Sequence, residues 1–317
     1  MLEIKNVSVR FSADSDVQAV EDVSLALPEG SKMALVGETG SGKSVLLLAI
    51  LRLLPDSART KGSVLLDGVN IWELPRRELC RLRGGVISYV PQAGGSCMNP
   101  LMKVGFQVGE PLMEHKGLKK KEAVARSIEL MRRFNLGSEE ELAAAYPHTF
   151  SGGMRQRAMV AMGISAGARI VLADEPSKGL DEKRVALVAE ALNRLEQETL
   201  LCVTHDLLFA GKISRQICVL YAAQQVELGR TEEILHDPLH PYTRDMVRAI
   251  PENGMEVDRA GFAPPHTGYA NAGCRYKHRC PHRSAACDRM PPLLDIGERK
   301  VRCWLYADAG FAADQGV

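Results

Sequence analysis

Apolar and polar side chains alternate along the opening stretch MLEIKNVSVRF, the period of a strand that buries one face. A second apolar run, KMALV, is short and continuous, and a glycine-rich turn separates it from SVLLLAILRLL. That order predicts a buried strand, a turn and a long apolar helix beginning near Lys43. Three more short runs, in SYVPQ, ARIVLADEP and LLCVTHD, read as strands with polar residues at their C-terminal ends. Between the first two lies KKKEAVARSIELMRRF, where Ala123, Val124, Ile128, Met131 and Phe134 fall at helical spacing and predict one packed face. Its start, Lys119 to Lys121, reads as a solvated helix beginning. Strands alternating with helices predict an α/β fold, with a helical stretch within residues 93–165.

Length and composition set wide bounds. A chain of 317 residues with 45% apolar side chains can fill one large domain or two of ordinary size. Basic and acidic residues number 40 and 39, so no net field draws the chain to nucleic acid or to an anionic membrane. It also lacks a basic stripe with interleaved aromatics, which counts against direct nucleic-acid binding. The N-terminus carries no apolar signal-peptide core, which predicts a chain that stays in the cytosol. No apolar run reaches the roughly 18 residues of a membrane span, and VLLLAILRLLP is short and includes Arg52. Any membrane role is therefore expected to come through a partner.

Candidate chemistry begins at GETGSGKS, where Gly37 to Ser44 match G-x-x-x-x-G-K-S/T between a strand and a helix. Glycines let backbone N–H groups wrap phosphate oxygens, the lysine reaches the outer phosphates, and the hydroxyl can ligate Mg2+. The helix start adds the positive end of its dipole. Gly37, Gly40, Ser41, Gly42, Lys43, Ser44 and Val45 are therefore the candidate cradle of a nucleoside triphosphate. The strand in ARIVLADEP ends in Asp174 and Glu175. A carboxylate at that edge can hold Mg2+ through water, and its neighbour can polarise an attacking water. Ser151, Gly152 and Gly153 open a further helix whose N–H groups form a second anion site.

With these motifs in this order, residues 1–250 resemble an ATP-binding-cassette (ABC) subunit, whose Ser-Gly-Gly signature is matched by Ser151, Gly152 and Gly153. The resemblance implies a RecA-like P-loop core with a mixed sheet, an inserted helical subdomain, and ATP with Mg2+. It implies that Gln92 touches Mg2+ and transmits to a membrane partner, and that His205 contacts the γ-phosphate. It places Phe11 on the adenine with Val20 lining the same side. In this family the signature of one subunit closes over the nucleotide of another, so a single cassette implies a second, expected here as a heterodimer. One departure stands in SKGLDEKR: Leu180 and Asp181 keep the dimer-contact loop, whereas Lys178 and Gly179 alter its approach.

Eight cysteines complete the inventory. Cys80, Cys97, Cys202 and Cys218 lie among apolar neighbours and read as buried small hydrophobes. Cys274, Cys280, Cys287 and Cys303 cluster in the tail. A reducing compartment favours metal ligation over disulfides, and four thiolates suit iron–sulfur or zinc. No C-x-x-C-type knuckle occurs, which counts against zinc without excluding it; His278 and His282 could substitute as ligands but, among so many basic residues, read first as surface histidines, and a tail without metal is the remaining reading. HPYTR and the tail, residues 251–317, resemble the C-terminal extension of oligopeptide and dipeptide transport ATP-binding proteins. That resemblance implies a 4Fe–4S cluster on the four cysteines, in a small Cys-rich extension with a structural or regulatory role. It also implies an ATPase subunit peripheral on the cytoplasmic face of the inner membrane, with two integral-membrane permeases and an extracytoplasmic solute-binding protein. Peptides are the expected cargo, nickel or a metal chelate the alternative. A non-transport ABC ATPase acting on nucleic acid, or a structural partner to a more active cassette, are the rival functions.

Overall fold

The computed structural model describes residues 1–11, 17–92, 97–195, 198–251, 269 and 273–307. They fall into two compact units: Met1–Ala26, Met33–Trp72 and His205–Val317 form the first, Leu27–Lys32 and Glu73–Thr204 the second.

In the first unit the predicted opening strand is β1 (Leu2–Phe11), which buries Leu2 and Ile4, then Val7 and Val9. The buried face changes parity because Asn6 has φ 49 and the register with β4 (Ala58–Leu66) shifts between Lys5 and Ser8. Such a bulge inserts one residue and carries the next apolar side chains back to the core. With β2 (Val17–Leu27), β3 (Lys32–Val36), β5 (Val69–Asn70), β9 (Gln216–Tyr221) and β10 (Gln224–Arg230), the strand order is β5-β4-β1-β2-β10-β9-β3. The pairing is mixed, antiparallel for β1 with β4 and for β9 with β10, parallel for β3 with β9.

The glycine-rich turn does lead into a helix, but α1 spans Lys43–Ile50 and does not run on through the apolar sequence. Arg52 takes φ 50, and the N–H groups of Arg52 and Leu53 bond back to the carbonyls of Ala49 and Leu48. This pair of bonds is a Schellman ending, in which the residue past the helix turns left-handed and satisfies the last carbonyls. Hydrophobicity alone could not announce it, since Leu51 is buried although it lies beyond the helix.

The C-terminal segment joins the same sheet. Here β11 (Leu294–Ile296) and β12 (Arg299–Val301) make an antiparallel hairpin, and β12 pairs antiparallel with β10. The core beneath includes Val36, Val219, Tyr221, Tyr242, Tyr276, Cys274 and Cys287. Helices α8 (Leu207–Ile213), α9 (Thr231–His236) and α10 (Pro241–Arg248) complete this unit.

The second unit holds β6 (Ile87–Val90), β7 (Ile170–Asp174) and β8 (Thr199–Thr204), all parallel. Every residue of β7 and β8 is buried, which is why both read as continuous apolar runs. Its helices are α2 (Arg76–Gly85), α3 (Val104–Lys116), α4 (Lys120–Arg133), α5 (Glu139–Ala144), α6 (Gly152–Ser165) and α7 (Glu182–Asn193). On α4 the buried face is Ala123, Ser127 and Met131, with Phe134 just beyond, whereas Val124 and Ile128 are half-buried. Ser127 fits that face because its hydroxyl donates to the Val124 carbonyl at 2.7 Å. Lys119 to Lys121 are exposed at the helix start, as the sequence predicts.

Two of the four scattered cysteines depart from expectation. Cys202 and Cys218 are buried, but Cys80 and Cys97 are exposed. Helix α2 buries Leu79 and Leu82, and Cys80 projects about 100° round the helix from Leu79. Cys97 lies outside any helix or strand, its thiol 3.5 Å from the Gln92 carbonyl.

Candidate functional site

The loop between β3 and α1 is built from close backbone approaches. Gly37 has φ 153, and a Cβ there would stand 2.1 Å from the Leu220 carbonyl oxygen. Gly42 has φ 99 as the cap of α1, and a Cβ there would stand 2.1 Å from the Ala19 carbonyl oxygen. No side chain other than hydrogen fits either place. Val20 is fully buried, with Cγ2 3.2 Å from that same point, so it supports the loop from beneath. Phe11, at the end of β1, is half-buried.

Lys43 is 6% exposed and spans the loop. Its ammonium donates to the Gly37 carbonyl at 2.7 Å and the Glu38 carbonyl at 2.8 Å. Ser41 is buried and its N–H returns to the Glu38 carbonyl at 3.1 Å, while Ser44 and Val45 are half-buried on the first turn. The result is a curled backbone with a lysine across it and a helix start behind it, which suits a phosphate chain. His205, exposed, shares a cavity of about 570 Å³ with Glu38, Asp245, Arg248 and Arg279. Asp206 follows it and caps α8, accepting the Phe209 N–H at 3.0 Å.

In the second unit, Asp174 ends β7 at 3% exposure and Glu175 follows at 7%. Glu175 takes φ 50, a left-handed conformation that a side chain adopts at a cost of about 1–2 kcal/mol. Both sides of this turn are held: the Glu175 N–H donates to the Val203 carbonyl at 2.8 Å, and Gln156 Nε2 donates to the Glu175 carbonyl at 3.1 Å. Tyr89 donates its hydroxyl to Asp174 Oδ2 at 3.3 Å, and burial, followed by the Asp174 charge, pushes that phenol well above its ordinary range. Tyr89 therefore stays a donor. Gln92 is exposed just past β6.

Ser151 caps α6, accepting the Met154 N–H at 3.3 Å, and Gly152 opens on solvent. A Cβ on Gly153 would come 3.1 Å from Leu180 Cδ2, so the glycine start of α6 abuts the SKGLD turn. Asp181 there caps α7, accepting the Arg184 N–H at 3.0 Å. Sequence reasoning missed Tyr89 and Gln156, although Tyr89 lies inside SYVPQ and Gln156 three residues past the Ser-Gly-Gly signature. Their signal is a polar side chain beside a buried carboxylate strand, visible once β6, β7 and α6 pack together.

None of the eight cysteines is disulfide-bonded. Cys274, Cys280, Cys287 and Cys303 all line one cavity of about 460 Å³ with His240, Tyr276, His282 and Trp304. Burial and then the nearby cysteines push the Cys274 thiol up to about 11 and the Cys303 thiol up to about 12. Such thiols stay protonated at neutral pH unless a cation offsets their crowding. Donor type and a shared cavity fit a sulfur-ligated group. Among the described residues, however, no group of three or more His, Cys, Asp or Glu stands in a metal-holding arrangement.

Comparisons with known proteins match both the P-loop part and the C-terminal part of the chain. The family pattern described as ABC transporter matches residues 20–178. That of the oligopeptide/dipeptide transporter C-terminal region matches residues 226–287. The chain is 36% identical over 309 residues to the oligopeptide transport ATP-binding protein OppD of Salmonella typhimurium, covering 95% of this chain and 92% of that one. It is 34% identical over 321 residues to the oligopeptide transport ATP-binding protein AppD of Bacillus subtilis, covering 98% of each. Among solved structures it resembles the dimeric post-hydrolysis state of the ATP-binding cassette MJ0796 bound to ADP and Pi. The TM-score there is 0.66 at 26% identity, over 73% of this chain and 99% of that one.

Proposed function

Because this chain belongs to the ABC transporter family of ATP-binding subunits, we propose that it is the ATP-hydrolysing subunit of an importer for oligopeptides or dipeptides. The observation that carries the reading is the near full-length likeness to oligopeptide transport ATP-binding proteins, which extends through the C-terminal region.

In this reading the substrate is ATP with Mg2+. Backbone groups of Gly37, Gly40, Ser41, Gly42 and Val45 cradle the phosphates, Lys43 moves from its loop carbonyls to phosphate oxygens, and Ser44 ligates Mg2+. Asp174 holds Mg2+ through water and Gln92 senses it. Glu175 takes the proton from the attacking water, and His205 steadies the γ-phosphate. Phe11 stacks on the adenine, with Val20 fixing the loop below it. Ser151, Gly152 and Gly153 close over the nucleotide of a second ATP-binding subunit, so that ATP holds two cassettes together and hydrolysis releases them.

No helix among the described residues is long and apolar enough to cross a membrane. The chain works in this reading as a peripheral subunit on the cytoplasmic face, bound to two permeases that receive peptide from a solute-binding protein. Cys274, Cys280, Cys287 and Cys303 hold a 4Fe–4S cluster, with zinc as the second candidate. Their common cavity supports this, and such ligation would brace a tail with little apolar content. Iron and sulfide assay of the purified chain, with absorption spectroscopy, decides between the two metals.

The decisive experiment is uptake of a labelled tripeptide by cells carrying this chain or its Lys43→Ala variant as the sole copy. Uptake lost with Lys43→Ala, together with two multi-span proteins recovered alongside the tagged chain from gently solubilised membranes, supports the importer. Peptide uptake indifferent to Lys43 refutes it.

A further inference from the structure

Glu38 lies inside the phosphate loop, and two of its polar groups are held from the C-terminal part of the chain. Its carboxylate accepts from Arg279 Nη1 at 2.8 Å, and its N–H donates to the Tyr242 hydroxyl at 3.0 Å. Its carbonyl accepts from Lys43 at 2.8 Å. Loop curvature and lysine position therefore meet at one residue.

Arg279 is itself well fixed. Its Cζ lies 5.4 Å from the Tyr276 ring centre and 5.9 Å from that of Tyr221. Tyr276 in turn donates its hydroxyl to Asp245 of α10, the helix that carries Tyr242. Arg279 directly precedes Cys280 on a turn that starts at Cys274. The Lys277 N–H reaches the Cys274 carbonyl at 3.2 Å, and the Cys280 N–H reaches the Tyr276 carbonyl at 3.0 Å. Arg275, on the same turn, donates to the Ala222 carbonyl and pairs with Glu21 of β2. Glu21 follows Ala19 and Val20, the two residues that back Gly42. One turn between two cysteines thus grips the loop at Glu38 and the strand beneath it at Glu21.

We propose that Arg279 is a positioning residue for the phosphate loop: the cysteine turn delivers its guanidinium to Glu38 and so preorganises the loop for the triphosphate. The proposal rests on that loop being the ATP site. A glycine-rich loop must be ordered before it can wrap phosphates, and each contact that orders it in advance removes part of that cost from binding. Arginine suits the place because a planar guanidinium can pair with a carboxylate and stack on aromatic rings at once, which an ammonium cannot. Lining the same cysteine cavity, Cys274 and Cys280 bound the turn at both ends, so its shape and the loop's are linked.

The test compares the full-length chain with Arg279→Ala, Arg279→Lys, Glu38→Ala and the double Glu38→Ala, Arg279→Ala. Three readouts are taken: affinity for a fluorescent ATP analogue with Mg2+, hydrogen exchange of the peptide covering residues 37–44 without nucleotide, and steady-state ATPase kinetics. Glu38 is 41% exposed, so solvent moderates the pair, and Arg279→Ala should weaken nucleotide binding about three- to tenfold. The loop peptide should exchange faster, Arg279→Lys should recover part of both effects, and the double variant should lose no more than either single one. The loss should appear in the KM for ATP, with kcat at saturating ATP changing less. Unchanged affinity and loop exchange in Arg279→Ala, or losses that add in the double variant, overturn the proposal. Should Arg279→Ala fail to fold, Glu38→Ala puts the same question from the loop side. A wild-type chain that binds no nucleotide would remove the ATP reading, while loop exchange would still decide the role of Arg279.

Discussion

Glu175 combines a catalytic type of side chain with a backbone that few glutamates adopt. Its φ of 50 is held by the Val203 carbonyl on one side and Gln156 on the other, so the carboxylate is aimed by its own main chain. Glu175→Gln keeps the shape and removes the carboxylate proposed as the base. It should lower hydrolysis about 10²- to 10⁴-fold while leaving ATP affinity within a few-fold, checked by phosphate release and nucleotide binding. Near-normal turnover would remove Glu175 as the base. Arg52 is a left-handed residue of a different kind, exposed and past a helix end, where glycine carries no steric penalty. Arg52→Gly should stabilise the chain by about 0.5–1 kcal/mol once the extra freedom of glycine in the unfolded chain is subtracted. A higher urea midpoint with an unchanged slope would register the gain. A lower midpoint would mean that Arg52 contributes more through its side chain than its backbone costs.

Elements were legible where one run of residues carried the whole signal. Strands β3, β7 and β8 are buried on both faces, so their sequences are continuous apolar runs, and the phosphate loop is contiguous. Elements fixed by distant partners left little trace. The β9–β10 hairpin turns through Ala222 and Ala223 at φ 48 and 70, without the Asn or Gly that usually marks such a turn. The carbonyls of both alanines are bonded from elsewhere in the chain, by Arg275 and by the Glu21 N–H. Arg279 meets Glu38 across 241 residues, a pairing no local pattern could announce. Strand β12 has the same character. It docks through Arg299, which pairs at 2.9 Å with Glu227 of β10, a carboxylate of 0% exposure that also accepts the N–H groups of Leu239 and His240. Glu227→Gln keeps the shape but leaves the Arg299 guanidinium facing a neutral amide, with exposed Asp237 as its remaining carboxylate. That change should cost about 3 kcal/mol, and adding Arg299→Met should return part of it, both read by equilibrium denaturation. A near-neutral Glu227→Gln would mean that Asp237 alone suffices.

At the scale of the whole molecule the formal net charge at pH 7 is +1, so little self-repulsion acts near neutrality, and in acid particular groups add to the general build-up of positive charge. His240 is the clearest. It is 2% exposed at the start of α10, and its Nδ1 accepts the Tyr242 N–H at 3.0 Å. Burial, then the positive charge of Arg244, depresses its pKa to about 3, against a small opposing bond involving Arg302. In the unfolded chain the same ring titrates near 6.5, so between the two values the unfolded chain binds the extra proton. Stability present above pH 6.5 should therefore fall as pH drops through that window, by up to about 1.4 kcal/mol per unit from this group. Asparagine can accept the same N–H and binds no proton. The unfolding free energy of His240→Asn should run parallel to wild type above pH 7 and fall less steeply between pH 6 and 4, with added salt changing neither slope much. Equal acid slopes would clear His240 of the role. Because Tyr242 follows on the same helix and holds the Glu38 N–H, acid that opens α10 should also loosen the phosphate loop. Nucleotide affinity should then weaken over the same window in wild type and less so in His240→Asn.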